Sequence, residues 1–319
     1  MELVSGVADT SGRIVAFGEC MIELSRPASD APQWNQAFAG DSYNVAVYLQ
    51  RLASQVDYMT AVGRDPFSTT MMATWSAEGM GTALALRHPD RVPGLYAILL
   101  DGAGERSFQY WRDQSAARAF FDCPGAEAAL TAASTARLLY LSGITLSLFT
   151  PAERARIAAF AATVRANGGD VAFDSNYRAR GWTDVSTARG AIDDFARYVS
   201  IALPTLDDDC ALYGAMNAEA CAERWLHTGV REVAVKLGAA GAYIADRHGG
   251  EFMPAEEVAQ VRDTTGAGDS FNAAYLAARL AGAPANAAAR SGHRLASTVV
   301  QHPGAIVPLS AMPAMEICA

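Results

Sequence analysis

Short apolar runs alternate with helix-forming segments along most of this chain, and no other feature constrains its fold as strongly. A strand followed by a helix and a second strand forms a parallel pair, so the repeated pattern predicts an α/β fold with a mostly parallel sheet between helices. The predicted strands span residues 13–17, 56–62, 138–142, 170–174, 198–203 and 232–237. The predicted helices span residues 42–53, 67–78, 151–167, 188–196, 219–228, 267–281 and 286–301.

The segment 151–167 is the clearest helix. Thr150 and Glu153 have the spacing of a capping box, and the apolar residues that follow recur at helical intervals. We interpret this helix as a packing element without a catalytic role.

Two stretches, residues 20–38 and 89–113, interrupt the alternation with extended segments and turns. Within the second, strand-like runs at 94–100 and 106–111 flank a glycine-rich turn at 101–104, which predicts a hairpin. We expect the two stretches to form a small β-strand lid over one edge of the sheet. Residues 1–12 are predicted to be a flexible leader and residues 13–319 to form one domain that includes this lid.

Composition excludes some classes of protein. The chain has 319 residues, of which 51% are hydrophobic and 18% charged, so disorder and a coiled coil are excluded. A net charge of −9 without a basic stripe argues against nucleic acid or an anionic membrane as a partner. Because no apolar run reaches the ~18 residues of a spanning helix, we expect a cytoplasmic protein. The five cysteines are scattered, which predicts neither a disulfide framework nor a zinc site.

The segment 263–272 carries the strongest chemical signal. Gly266, Ala267 and Gly268 open a predicted helix, where converging amides and the positive end of the helix form an anion hole for phosphate. Asp269 follows in the first turn. It is either a helix cap or a proton acceptor, and because a cap beside an anion hole would repel the anion, we favour the acceptor.

This segment, Asp-Thr-Thr-Gly-Ala-Gly-Asp-Ser-Phe, strongly resembles the C-terminal signature of the ribokinase-like (PfkB) carbohydrate kinases. Motifs at 18–25, 139–144, 176–178 and 304–308 resemble the branch that acts on 2-keto-3-deoxygluconate. The resemblance covers residues 13–313. It implies a ribokinase-like three-layer αβα sandwich with a small β-strand lid, in which 13–319 form one kinase domain.

The resemblance also implies a reaction, the ATP-dependent phosphorylation of the 6-hydroxyl of 2-keto-3-deoxygluconate. Asp269 would take the proton from that hydroxyl, while the amides of Gly266, Ala267 and Gly268 hold the transferring phosphoryl group. ATP and Mg²⁺ are the expected cofactors, with Mg²⁺ arriving mostly hydrated on ATP rather than at a dedicated protein site.

A second glycine-containing loop follows the predicted strand at 232–237. It holds Lys236, the single lysine among 25 basic residues, together with Gly238 and Gly241. The resemblance makes this the nucleotide loop, although a plain β-turn is the alternative. His293 and Ser297, one helical turn apart, are candidates to flank adenine, with simple packing as the alternative.

The motif at 39–44 resembles the family's N-terminal sugar-binding element, with Ala39 in place of its first glycine. The resemblance assigns Gly40 and Asn44 as sugar contacts and admits Asp41. The alternative for Asp41 is a helix N-cap.

The lid residues Tyr96, Tyr110 and Arg112 match the positions that close over a keto acid in this branch. A carboxylate is best bound by an arginine fork, which Arg112 would supply with Arg178 across the cleft. For Arg112 alone, a surface ion pair is the alternative. Tyr110 and Trp111 point to opposite faces of their strand, so one of them should pack under the lid.

Ligands of open α/β sheets sit at the carboxyl ends of the strands, which makes Asn176 and Arg178 candidate site residues, Arg178 being shared between nucleotide and acid. Thr205 and Asp208 stand where the wider family has Asn-x-x-Glu. The acid is one carbon shorter and the amide is lost, which argues against direct contact with Mg²⁺.

Other functions stay open at this stage. The chain could be a kinase for fructose, ribose or 2-keto-3-deoxygalactonate, or a silent sugar- or nucleotide-binding protein; a structural subunit would leave the motif at Asp269 unexplained. The expected partners are a small sugar acid and ATP. An exposed edge of the lid sheet also suggests a homo-oligomer.

Overall fold

The computed structural model describes residues 12–26, 32–52, 55–100 and 106–314. The strands, in chain order, are β1 Ile14–Phe17, β2 Met21–Ser25, β3 Asn35–Ala39, β4 Val56–Val62, β5 Ala85–Arg87, β6 Leu95–Leu100, β7 Arg106–Trp111, β8 Leu138–Ser142, β9 Asp170–Asp174, β10 Ile201–Ala202, β11 Glu232–Lys236, β12 Gly241–Asp246 and β13 Gly249–Pro254. The helices are α1 Asp41–Arg51, α2 Pro66–Ala77, α3 Ala126–Ala133, α4 Gly143–Ser147, α5 Pro151–Ala166, α6 Val185–Ala196, α7 Leu206–Tyr213, α8 Ala218–His227, α9 Ala267–Leu280 and α10 Ala285–Val299.

The larger sheet has nine strands in the order β13-β12-β11-β10-β9-β8-β1-β4-β5. The pairs from β11 through β5 are parallel, while β12 and β13 extend the sheet antiparallel at one edge. The parallel order places the carboxyl ends of β8, β9 and β11 at one edge of the sheet, where ligands bind in open α/β folds.

Side chains of the central strand alternate between two hydrophobic cores. Ile14 and Ala16 pack in the core under α1, α9 and α10, whereas Val15 and Phe17 pack in the core under α3, α5, α6 and α8. Because successive residues of a strand point to opposite faces, the sheet lies between two layers of helices. The predicted three-layer αβα fold with a mostly parallel sheet is confirmed.

A second sheet of four strands, in the order β3-β2-β6-β7, forms the lid. Its central pair is parallel and its two outer pairs are antiparallel. Apart from Ala39 at the end of β3, these strands fall within the stretches 20–38 and 89–113 that interrupt the alternation. The predicted turn at 101–104 lies outside the described residues, as does the predicted leader apart from Gly12.

Local structure departs from the sequence prediction at one strand and at several short elements that the sequence analysis did not name. Strand β10 is shorter than the predicted 198–203, because the amides of Tyr198 and Val199 close the last turn of α6 by donating to Phe195 and Ala196. The short helices α3, α4 and α7 and the strands β5 and β13 were not predicted. The capping box is confirmed, since Thr150 and Glu153 each accept from the other's backbone amide.

Across the described ranges, every helix is too short or too polar to cross a lipid bilayer. The cysteines within those ranges, Cys20, Cys123, Cys210 and Cys221, are all free thiols.

Candidate active site

A buried ion pair anchors the carboxyl end of the large sheet. Asp174 ends β9 and Lys236 ends β11, and the Lys236 ammonium donates to Asp174 Oδ2. Asn272 Nδ2, from α9, donates to the same oxygen at 2.7 Å. Lys236 is only 7% exposed. The single lysine of the chain is therefore fixed at the sheet edge rather than free in solvent.

The start of α9 lies against this ion pair. Gly266 precedes the helix with a left-handed φ of 75°, and a Cβ there would lie 2.7 Å from the Ala305 carbonyl oxygen, so glycine is required. A Cβ on Gly268 would lie 3.6 Å from Lys236 Nζ, which places the ammonium beside the first turn. The helix start and the lysine together form a positive site for an anion.

The amides of this first turn are not equivalent. The Ala267 amide donates to the Thr264 carbonyl at 3.2 Å, so it already has a partner. Gly268 and Asp269 occupy the following positions, where the N–H groups have no partner within the helix. Of the predicted anion hole, the Gly268 amide is therefore available, and the Asp269 amide adds a donor that the sequence analysis did not name.

Asp269 is held by a side chain from α1. Asn44 Nδ2 donates to Asp269 Oδ2 at 2.8 Å, and no side chain caps α9. The alternative of a helix cap for Asp269 is therefore wrong. Burial, and next the charge of Asp41, raise the pKa of Asp269 to about 7, against the opposing effect of the Asn44 hydrogen bond. A carboxyl group with a pKa near neutrality is suited to accept and release a proton.

Asp41 begins α1 but does not cap it. The N-cap is Gly40, and the Asp41 carboxylate instead accepts from Ser142 Oγ and, at 3.2 Å, from Asn176 Nδ2. The N-cap alternative for Asp41 is therefore wrong. Burial is the main cause that raises the pKa of Asp41. Asn176 itself has a left-handed φ of 32°, rare for a residue with a side chain, which is typical of functional sites.

Gly40 is required for packing. A Cβ at this position would lie 2.2 Å from the Glu19 carbonyl oxygen. Because Gly40 has no side chain, the start of α1 can pack closely against the β1–β2 connection. This packing requirement is independent of any contact between Gly40 and a sugar.

A cavity of about 510 Å³ lies between the lid and the sheet edge. Predicted sugar-binding residues from both sides line it: Gly40, Asp41, Asn44, Tyr96, Tyr110, Arg112 and Arg178. The Tyr96 hydroxyl donates to the Glu23 carboxylate, and its ring lies 5.7 Å from that of Tyr110. Trp111 is 58% exposed and does not line the cavity, so Tyr110 is the member of this pair that packs under the lid. We call this space the sugar cavity.

Both arginines of the predicted fork are paired with carboxylates of the protein. Arg112 Nη2 donates to the buried Glu19, and Arg178 Nη1 lies 3.0 Å from both oxygens of Asp208. The fork across the cleft is therefore not formed here. Asp208 lies in the first turn of α7, and its partner is Arg178.

A second cavity, of about 530 Å³, lies on the other side of the α9 start and is called here the nucleotide cavity. Its lining includes the predicted nucleotide residues Lys236, Gly238, Gly241, Ala267, Gly268, His293 and Ser297. Apolar side chains of Val258, Val261, Phe271 and Val300 line the same space. The cavity thus combines a positive end with an apolar slot, which fits the phosphates and the base of ATP.

His293 lines this cavity although it is 6% exposed. Its Nε2 lies 3.2 Å from the Met253 carbonyl oxygen, its ring centroid is 5.1 Å from that of Phe271, and burial lowers its pKa. His293 therefore packs against the protein, as the alternative stated, and also lines the cavity, as the nucleotide interpretation requires. Gly241, which lines the same cavity, has a left-handed φ of 132°. A Cβ at this position would lie 2.1 Å from the Met253 carbonyl oxygen, so the loop requires glycine here.

Among the described residues, no group of three or more histidine, cysteine or acidic side chains is placed to hold a metal ion. The carboxylate of Asp174 already accepts from Lys236 and Asn272, and that of Asp208 is paired with Arg178. That Mg²⁺ arrives on ATP mostly hydrated stays a prediction.

Sequence reasoning missed four residues that organise the site, Asp174, Asn272, Ser142 and Glu19. Asp174 and Ser142 end predicted strands, and this position at the sheet edge was a signal that could have found them. Asn272 ends the segment 263–272 and Glu19 lies in the motif at 18–25, but neither motif indicates which partner the side chain contacts.

Comparison with known proteins agrees with this geometry. The sequence profile of the pfkB family of carbohydrate kinases matches residues 11–312. The 2-dehydro-3-deoxygluconokinase of Dickeya dadantii is 43% identical over 96% of this chain and 100% of its own length. The enzyme of the same name from Escherichia coli K12 is 41% identical over 95% of this chain and 100% of its own length.

Solved structures have the same fold. The crystal structure of the 2-dehydro-3-deoxygluconokinase of Thermotoga maritima superposes with a TM-score of 0.83 at 21% identity, covering 93% of this chain and 95% of that one. A provisionally named ribokinase II from E. coli, solved with ATP and Mg²⁺, gives a TM-score of 0.82 at 21% identity and covers 95% of this chain and 96% of that one. The chain described here belongs to the pfkB family of carbohydrate kinases.

Proposed function

We propose that this protein is a 2-dehydro-3-deoxygluconokinase, which transfers the γ-phosphoryl group of ATP to the 6-hydroxyl of 2-keto-3-deoxygluconate. One observation carries the proposal: Asp269 lines neither cavity itself, but its direct neighbours line both. Gly268, next to it, lines the nucleotide cavity, and Asn44, bonded to it, lines the sugar cavity. Relatives more than 40% identical over nearly their full length bear this name.

The chemistry assigned to the site follows from its charges. Asp269 accepts the proton of the 6-hydroxyl as that oxygen attacks phosphorus, and its pKa near 7 suits this role at neutral pH. The amides of Gly268 and Asp269, with the Lys236 ammonium beside them, stabilise the negative charge on the transferring phosphoryl group. Mg²⁺ bound to ATP would neutralise further phosphate charge.

The sugar cavity favours an acidic substrate. Four arginines line it, Arg112, Arg118, Arg178 and Arg180, against three carboxylates, Glu19, Asp41 and Asp113. Arg178 is paired with a fourth carboxylate, Asp208, so the argument rests on the guanidinium groups themselves rather than on net charge. Guanidinium groups match the carboxylate of a keto acid, whereas a neutral ketose such as fructose would need hydroxyl contacts instead.

A coupled ADP-release assay tests the proposal. The wild-type protein is offered Mg-ATP with 2-keto-3-deoxygluconate, 2-keto-3-deoxygalactonate, fructose or ribose in parallel. We expect kcat/KM for 2-keto-3-deoxygluconate to exceed that for fructose and ribose by at least roughly 100-fold, since a buried charge pairing is lost with the neutral sugars. Equal or better turnover of a neutral sugar would contradict the substrate assignment and leave the kinase. Absence of turnover with all four, while ATP still binds, would favour a silent binding protein.

The reaction is assigned to the cytoplasm, where ATP is supplied and where free thiols such as those of Cys20 and Cys221 persist. Pairing of two copies along the exposed edge of the lid sheet stays a prediction, and size-exclusion chromatography with light scattering would test it.

A further inference from the structure

The carboxyl end of the large sheet carries the only lysine of the chain, and that lysine is buried. All other residues among the 25 lysines and arginines are arginine. Buried carboxylates near the opposite end of the sheet have arginine partners: Arg13 binds Asp57, and Arg279 binds Glu232. Lys236 is thus the exception among these buried ion pairs, which raises the question of what an ammonium does there that a guanidinium does not.

The two kinds of cation use their donors differently. The Arg13 guanidinium donates to both oxygens of Asp57, at 2.5 and 2.9 Å. The Lys236 ammonium donates to Asp174 Oδ2, its one acceptor within the described ranges, so two of its three N–H groups have no protein partner there. Lys236 lines the nucleotide cavity, and its Nζ lies 3.6 Å from the position of a Cβ on Gly268. Both spare donors are therefore available to a phosphate bound at the start of α9.

Asp174 is itself held by donors besides the lysine. Its Oδ1 accepts from the Asn176 amide at 3.0 Å, and its Oδ2 accepts from Asn272 Nδ2 at 2.7 Å as well as from Lys236. Asn272 is fully buried, and its Nδ2 also lies 3.3 Å from the Tyr140 hydroxyl. Asp174 is 2% exposed and lines neither cavity, and of its three partners only Lys236 lines one. By contact, Asp174 can therefore act on a bound phosphate only through Lys236.

We propose that Asp174 is a positioning residue for phosphoryl transfer, which aims the Lys236 ammonium at the transferring group while Asn272 fixes its carboxylate. This inference rests on the proposed function and names the residue that places the cation of that site. An ammonium bound through one N–H keeps two donors for phosphate oxygens, whereas a guanidinium would pair with both oxygens of Asp174, as Arg13 does with Asp57. Placement matters because developing charge is stabilised most by donors that are already in position.

The first test replaces Asp174 by its neutral isostere. In Asp174→Asn the ammonium loses its charged anchor, and we expect kcat to fall roughly 10- to 100-fold, the size of the effect of a misplaced catalytic group. KM for 2-keto-3-deoxygluconate and the Mg²⁺ concentration for half-maximal rate should stay as in the wild type, because Asp174 positions Lys236 rather than the sugar or Mg²⁺. Asp57→Asn is the matched control: it removes a similarly buried carboxylate from its cation outside both cavities, and kcat of the folded protein should not change.

Chemical rescue separates positioning from a structural role. Lys236→Ala removes the side chain and leaves room for a small amine, so methylammonium or ethylammonium should raise kcat several-fold with increasing concentration. Because Asp174 binds the amine, Lys236→Ala combined with Asp174→Asn should show no rescue. Lys236→Arg keeps the charge but pairs with both carboxylate oxygens, so its kcat should fall as in Asp174→Asn. The arginine variant decides the question if ATP binding shows that either of the other variants does not fold, or if no amine rescues Lys236→Ala.

The outcomes separate this inference from the proposed function. If the wild type phosphorylates none of the four sugars offered with Mg-ATP, the proposed function fails and the role of Asp174 fails with it. If the wild type is active, wild-type kcat in folded Asp174→Asn or in Lys236→Arg overturns only the role of Asp174. Rescue that persists without the Asp174 carboxylate does the same, as does a raised Mg²⁺ requirement in Asp174→Asn, which would make Asp174 a carboxylate for the metal.

Discussion

Buried carboxylates occur at both ends of the large sheet, but their ion-pair partners differ between the two ends. At the amino end, each carboxylate has its own arginine: Arg13 binds both oxygens of Asp57 at 2.5 and 2.9 Å, and Arg279 binds both oxygens of Glu232 at 2.9 and 2.7 Å. At the carboxyl end, Asp41, Asp174 and Asp269 have between them the ammonium of Lys236 alone, plus amide and hydroxyl donors.

The difference shows what each end does. Fork-like pairs leave no charge uncompensated, so they link elements of the fold without reactivity. Three carboxylates around one ammonium leave negative charge in excess, and the pKa of Asp269 rises to about 7 as a result of burial and of its acidic neighbours. Uncompensated carboxylate charge would only destabilise the amino end of the sheet. At the carboxyl end it raises the pKa of Asp269, which makes this residue a proton acceptor.

The largest effect is expected from Asp269→Asn. The variant keeps the shape and the contact with Asn44 but cannot accept a proton, so kcat for 2-keto-3-deoxygluconate should fall roughly 1,000-fold in the ADP-release assay. Asp184→Asn, at an exposed N-cap position that lines neither cavity, is the control and should retain wild-type kcat. A loss of less than tenfold in Asp269→Asn would mean that another group takes the proton.

The same variant should be more stable than the wild type, by an amount that grows between about pH 4 and pH 7 and is constant at higher pH. A carboxylate whose pKa rises from 3.8 in the unfolded chain to about 7 in the folded protein destabilises the fold progressively between these values. Asparagine removes that penalty, so the midpoint of thermal unfolding should increase at pH 8 and stay near that of the wild type at pH 4. An equal increase at both values would contradict the electrostatic origin of the raised pKa.

Next in size is the loss of a pair at the amino end. Arg279→Met leaves Glu232 buried with only the Tyr275 hydroxyl as a donor, and the free energy of unfolding should fall by about 3 kcal/mol. Urea denaturation measures this loss. The matched control is Arg231→Met, since Arg231 is 55% exposed in its pair with Asp170, and its loss should be below about 1 kcal/mol. Because neither residue reaches the cavities, kcat of the folded variants should not change; equal stability losses would contradict the distinction.

The smallest expected effect is on the pH dependence of kcat/KM, which reports how individual neighbours set the pKa of Asp269. Asp269 must be ionised to act, so kcat/KM of the wild type should decline as the pH falls below about 7. Asp41→Asn removes the charge that raises the pKa of Asp269, and this decline should begin at a lower pH. Asn44→Ala removes the hydrogen bond that lowers the pKa, and the decline should begin at a higher pH. Since both residues line the sugar cavity, the pH of the decline is compared rather than the absolute rate; shifts in the same direction would contradict the assignment.

Much of this picture is predictable from the sequence, because it depends on local patterns. The alternation of strands and helices specifies the layers, and the Gly-Ala-Gly-Asp segment specifies where phosphate and base belong. Pairings between distant segments leave no such pattern. Asp174 meets Lys236 across 62 residues and Ser142 meets Asp41 across 101, and only the completed sheet brings them together.

The same limit explains the arginines of the sugar cavity. The sequence predicted that Arg112 and Arg178 lie at the site. Their carboxylate partners, Glu19 and Asp208, come from other elements, and the sequence did not predict that these ion pairs neutralise both arginines.

The most direct test of this account is the pKa of Asp269 itself, measured by carbon-13 NMR titration of the aspartate carboxyl groups in the ligand-free protein, with Asp269→Asn to assign the signal. The account predicts a carboxyl resonance that titrates near pH 7 and is missing from the variant. Titration of Asp269 near pH 4, as for a solvated or fully paired carboxylate, would contradict the claim that the carboxyl end of the sheet prepares a base.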